Sequence, residues 1–152
     1  MGAPRSRCDL GCMRSGYTVL ELGVTLLLLG LALATAVPAL GRHRDRMAVV
    51  AAREATAGLL SRARREALLS GGASLHVRRD GGLLWIRSER PLTDTLRVEE
   101  RFGVTLEMTA DEARLPFDAL GIGRISSRTL TFARGETRAG LAVSAYGRVR
   151  RW

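Results

Sequence analysis

The chain has no Lys, no Asn and no Gln among its 152 residues. Lacking Asn and Gln, it has no side chain suited to bidentate reading of adenine, so nucleic acid would be held through its backbone with little regard to sequence. Cysteine is nearly absent. Cys8 and Cys12 are the only two, so beyond Cys12 there is no disulfide, no thiol nucleophile and no sulfur ligand for a metal. Their Cys-x-x-x-Cys spacing has no matching cysteines elsewhere and does not make a metal site. Histidine occurs twice, as His43 in a basic run and His76 in a β-rich stretch, with no spacing that suits a metal. Glu99-Glu100 and Asp111-Glu112 read as solvated neighbours rather than an acid/base couple. Gly121-Ile122-Gly123 is a fragment of a nucleotide-binding pattern with no helix after it, and reads as a tight turn. These absences predict a protein that is not an enzyme and carries no cofactor.

What the chain does contain is arginine and one long apolar run. All 24 basic residues are Arg, set against 15 acids, for a net charge of +9. Such a surface favours an acidic partner: nucleic acid, anionic lipid or polyanionic envelope material. Leu22 to Gly41 is 20 residues without a charge, the length an α-helix needs to cross a bilayer. One carboxylate, Glu21, precedes it. Pro38 should kink the helix late in the run, and Gly23 and Gly30 allow close helix–helix approach. At 152 residues this is one domain plus an anchor.

From Arg42 to about Leu69 the same helix is expected to continue as an amphipathic half. Ala48, Ala51, Ala52, Ala55 and Leu59 share one face. Arg42, Arg46, Arg53 and Arg64 form a stripe on another, and Arg62 and Glu66 make an i,i+4 pair. Ser70-Gly71-Gly72 is the stop. The period then changes. Ser74–Arg79 and Leu83–Ser88 flank Asp80-Gly81-Gly82 as a hairpin. Pro91–Asp94 reads as a loop, Val104–Met108 as a strand, and Arg114–Phe117 as a run into the turn Asp118–Gly123. Thr129–Ala133 and Arg138–Ser144 form a second hairpin, and Gly147–Trp152 a last strand or tail. The expected class is α+β, a long N-terminal helix on an antiparallel sheet. The tail draws attention chemically, with Arg148, Arg150 and Arg151 beside Tyr146 and Trp152. Guanidinium groups bind phosphate and aromatic rings stack on bases. A solvated edge strand is the competing reading.

Gly16-Tyr17-Thr18-Val19-Leu20-Glu21 resembles the type IV prepilin signature: a Gly, an aromatic residue, Thr, two aliphatics, then Glu. Further along, Ala63-Arg64-Arg65-Glu66-Ala67, the hairpin bearing Trp85, Phe117-Asp118-Ala119-Leu120-Gly121 and Val143–Arg150 resemble, in that order, the FimT/GspH branch of minor pilins and pseudopilins. The resemblance implies a leader at 1–16, a transmembrane half-helix at 17–41, an amphipathic half at 42–70 and a β domain at 71–152. It implies cleavage by prepilin peptidase between Gly16 and Tyr17, N-methylation of Tyr17, and pairing of Glu21 with the terminal amine of a neighbouring subunit. Partners are then the peptidase, other pilin or pseudopilin subunits and the inner membrane, with the globular domain in the periplasm. In the FimT branch a C-terminal Gly-Arg-x-Arg is associated with DNA capture, and Gly147, Arg148 and Arg150 match it. Two roles stay open within the branch: a DNA-binding pilin, or a pseudopilin of type II secretion. A membrane-anchored periplasmic adaptor with an uncleaved leader is a third.

Overall fold

The structure, a computed structural model, describes residues 17–89, 94–124 and 127–152. The leader with Gly16, Cys8 and Cys12, and all of the Pro91–Asp94 loop except Asp94, lie outside the described residues. Helix α1 runs Val19–Ser70 and passes through Pro38. The chain divides into two compact units, 1–38 and 39–152.

In the first unit α1 starts where Thr18 Oγ1 accepts a hydrogen bond from the Glu21 amide at 3.2 Å. Thr18-x-x-Glu21 has the spacing of a capping box, and Glu21 lies in the first turn, where the helix dipole favours a negative charge. Val19, Leu20, Leu22, Val24, Leu26 to Leu29, Leu31, Leu33 and Val37 are all exposed, and α1 is long and apolar enough to cross a membrane. The two hydroxyls within this stretch are satisfied internally: Thr25 donates to the Leu22 carbonyl and Thr35 to that of Ala32, each at 2.9 Å. That arrangement suits a helix surrounded by hydrocarbon, where no water can serve a polar group.

In the second unit the rest of α1 buries Val49, Ala52, Thr56, Leu59, Leu60, Ala63 and Ala67. These recur at helical spacing, and the small ones let the helix lie close to its sheets. Of the predicted apolar face, Ala52 and Leu59 are buried, Ala48 and Ala55 partly so, and Ala51 is exposed. Gly71, at φ +81°, ends the helix in the left-handed conformation that a Cβ disfavours. The Arg62–Glu66 pair does not form. Arg62 reaches Asp94 at 2.6 Å instead, and Glu66 is buried, accepting from the Ser88 hydroxyl at 3.4 Å.

The strands are β1 Gly72–Arg78, β2 Leu83–Ser88, β3 Thr95–Arg97, β4 Thr105–Glu107, β5 Glu112–Asp118, β6 Arg128–Arg134, β7 Thr137–Val143 and β8 Val149–Arg151, with a short helix α2 at Val98–Phe102. They form two antiparallel sheets rather than one, in the orders β3-β2-β1-β5 and β4-β6-β7-β8. The Asp118–Gly123 turn is the point of division, because β5 pairs back onto β1 whereas β6 pairs with β4. Each sheet turns one face inward. Leu75, Val77, Leu84, Leu115 and Phe117 from the first and Leu106, Leu130, Phe132, Leu141 and Val143 from the second join the helix residues in one core.

Candidate nucleic-acid interface

The tail is placed by a turn that depends on Gly147. The Gly147 amide donates to the Ser144 carbonyl at 2.9 Å, and the Ser144 amide donates to the Arg148 carbonyl at 2.8 Å. Gly147 has φ +77°, and a Cβ there would stand 3.1 Å from Cε1 of Phe117. Backbone conformation and crowding therefore both require glycine at this point. The turn delivers the chain into β8, which pairs with β7 through Leu141–Arg151, Ala142–Arg150 and Val143–Val149.

Strand alternation then splits the basic run. Leu141 and Val143 face the core, so Arg151 lies on the core side of the sheet's edge and Arg150 on the outer side. Arg151 Nε meets Glu54 Oε2 at 3.2 Å, and Glu54 also holds Arg53 at 3.0 Å. Arg53 donates in turn to the Trp152 carbonyl at 3.1 Å. Of the helical Arg stripe, Arg42, Arg46 and Arg64 are exposed, but the Arg53 side chain is 17% exposed and belongs to this tie between α1 and the tail. Trp152 exchanges two backbone hydrogen bonds with Gly140, at 2.9 and 3.1 Å. A Cβ on Gly140 would overlap the Trp152 indole, so the ring lies directly over the glycine. Gly140 is thereby buried on the outer face and interrupts the alternation of β7.

Arg148 and Arg150 stay exposed, and no ion pair or side-chain hydrogen bond engages either among the described residues. Both line a shallow cavity of about 520 Å³ together with Arg128, Thr129, Ser127 and Ser144. Arg128 opens β6 opposite Val143. Among the described residues no carboxylate lines this cavity, so three arginines border it without a counter-charge: Arg148 and Arg150 from the tail, and Arg128, which the register with Val143 places on the core side at its rim. The sequence reading missed Arg128 because it lies twenty residues from Arg148; pairing the second hairpin about Gly135 would have placed it at the foot of the tail. Tyr146 is 73% exposed and stands apart from the residues lining the cavity.

The other sequence candidates belong to the first unit. Tyr17 is 81% exposed and Glu21 sits in the first helical turn; Gly16 lies outside the described residues. Among the described residues no group of three or more His, Asp or Glu side chains is placed to hold a metal.

No protein-family model and no curated protein matches the chain. Solved structures do. The chain is similar to the type IV minor pilin FimU of Pseudomonas aeruginosa, strain PAO1, with 22% identity and a TM-score of 0.56, over 70% of this chain and 89% of FimU. A second crystal form of FimU gives 22% identity and a TM-score of 0.53, over 67% of this chain and 90% of FimU. The likeness shows the fold: a long N-terminal helix on antiparallel sheets, built as in a type IV pilin.

Proposed function

We propose that this chain is a minor type IV pilin that works by assembly and carries a DNA-contacting cavity at its C-terminal strand. The observation that carries the reading is the type IV pilin fold on a helix whose first half is apolar and exposed throughout. In this reading residues 17–41 hold the subunit in the inner membrane, with the globular unit in the periplasm. Prepilin peptidase cuts between Gly16 and Tyr17 and methylates Tyr17. Glu21 then meets the terminal amine of a neighbouring subunit. A charged carboxylate in hydrocarbon costs about 2.5–3.5 kcal/mol, so this pairing favours the fibre over solitary residence in lipid.

The cavity of Arg128, Arg148 and Arg150 is the DNA-contacting element. Its chemistry is phosphate binding through unpaired guanidinium groups, tolerant of sequence and sensitive to salt. Arg151 is occupied with Glu54 and helps to hold β8 in place. A pseudopilin of type II secretion would share the leader and the assembly chemistry.

The test is to express the full chain in cells with an active pilus machine. Intact-mass analysis of the sheared pilus fraction should find a chain that begins at Tyr17 and carries one methyl group. Recovery only as an uncleaved membrane protein would refute the reading and favour an anchored adaptor.

A further inference from the structure

The outward face of the first sheet carries an aromatic pair in a basic setting, and neither the anchor nor the tail uses it. The β1–β2 register sets His76 opposite Trp85, and the β1–β5 register sets His76 opposite Arg114. The two rings stack, with centroids 5.1 Å apart and planes at 17°. Arg78 lies over the indole, 5.6 Å from the ring centroid. Ser74, buried between Arg87 and Pro116 in the register, shares a 3.0 Å hydrogen bond with Nε2 of His76, which fixes the ring's rotation. On the far flank of Trp85 the register places Thr95, too short to cover an indole.

The arginines around the stack differ in occupation. Arg78 is taken by Glu112 at 2.8 Å and Arg97 by Glu100 at 3.4 Å. Arg87 and Arg114 are exposed and have no hydrogen bond or ion pair among the described residues. They flank the stack on opposite strands, one row and two strand spacings apart, so their Cα atoms are ~12 Å from each other. His76 titrates below its ordinary value because it is partly buried and because Arg114 and Arg87 stand near it, Glu112 opposing. These causes favour the neutral ring.

We propose that this face is a second nucleic-acid site and that it takes single-stranded DNA, one base stacking on the Trp85–His76 pair while Arg87 and Arg114 hold phosphates on either side. A base inside a duplex presents no free ring face to a sheet, so the stack selects unpaired strands. Two uncommitted guanidinium groups supply the charge complement. The surface shares no residue with the Arg128–Arg148–Arg150 cavity and lies on the other sheet, so the two sites stand or fall separately.

The test uses the full chain in detergent micelles with Trp152→Phe, which leaves Trp85 as its only tryptophan. Titration with an oligothymidylate at low salt should quench Trp85 emission. Anisotropy of a labelled oligothymidylate should show Trp85→Ala binding roughly 5- to 150-fold more weakly, the range for loss of one stacked base. Arg87→Ala with Arg114→Ala should lower the salt slope by about 1.4, at 0.7 for each single-strand contact. These two side chains are exposed, so their variant tests the site even where Trp85→Ala fails to fold. Arg148→Ala with Arg150→Ala should leave the Trp85 quench in place, which separates this site from the tail. No quench at saturating oligothymidylate, equal quenching by a duplex or by heparin, or an unchanged slope in the Arg87/Arg114 variant would overturn the proposal.

Discussion

Gly140→Ala is the smallest change that should dislodge the tail. The added Cβ would overlap the Trp152 indole, so the ring must leave its seat. Trp152 is 57% exposed where it lies, so a little over two-fifths of it is covered. An indole side chain offers up to about 250 Å², which puts the covered area near 100 Å². At about 25 cal/mol per Å² that is at most about 2.5 kcal/mol. The two hydrogen bonds between the Gly140 and Trp152 backbones can survive the ring's departure, so losing the seat costs about 1–2.5 kcal/mol, offset by about 0.4–1 kcal/mol from restricting the unfolded chain, for a net loss of up to about 2 kcal/mol. For a unit of this size that lowers Tm by up to about 8 °C. The assay is thermal unfolding of the full chain in micelles, run as a double-mutant cycle with Trp152→Ala. With the indole gone, Gly140→Ala should cost nothing and should gain about 0.4–1 kcal/mol by restricting the unfolded chain. An equal change in both backgrounds would refute the seat.

Three further outcomes are expected. Glu21→Ala should still be inserted and cleaved but should be scarce in sheared pili, although the helix start itself loses only about 0.3–1 kcal/mol; parent-level incorporation would remove Glu21 from assembly. Arg148→Ala with Arg150→Ala should weaken duplex binding and reduce its salt slope by at most about 1.8, at 0.9 for each contact, and titrations that match the parent at two salt concentrations would show that the cavity does not contact DNA. His76 is held below its ordinary value by burial first, then by Arg114 and Arg87. Its stabilising contribution is therefore complete above its unfolded value of about 6.5 and is lost as pH falls toward the lower folded value. Between pH 7 and pH 5 the parent's Tm should drop further than that of His76→Phe, and parallel profiles would exclude the mechanism.

Much of the fold is local and could be read from the chain. The charge-free run, the helix stop at Gly71 and the two hairpins all rest on signals within a few residues. What was hidden depends on distant partners. Whether β5 adds to β1 or to β6 decides between one sheet and two, and nothing near Asp118 specifies it. Glu99-Glu100 read only as a solvated pair, which hid the helix Val98–Phe102 around them, where Val98 is buried and the Gly103 amide closes the turn onto the Glu99 carbonyl at 2.8 Å. Arg62 takes Asp94, 32 residues away, over the adjacent Glu66. The tail's arginines looked equivalent in sequence; only the pairing of β8 with β7 shows that Arg151 faces Glu54 while Arg150 faces the cavity. The His76–Trp85 pair was accessible, since a hairpin centred on Asp80-Gly81 sets those two residues opposite one another.

The two sheets end in four edge strands, and each is poorly suited to growth. β3, β4 and β8 are three residues long, and Arg97, Arg150 and Arg151 lie on two of them. β5 has seven residues, but Pro116 offers no N–H, its carbonyl accepts from the Arg124 amide at 3.3 Å, and the Asp118 amide is spent on Ile122 at 3.1 Å. A long, bare edge is a template for aggregation, and short, charged or occupied edges resist it. Copies of the globular unit can thus be crowded together without fusing strand to strand. Most of the exposed large apolar side chains are instead the leucines and valines between Val19 and Leu40, outside the sheets.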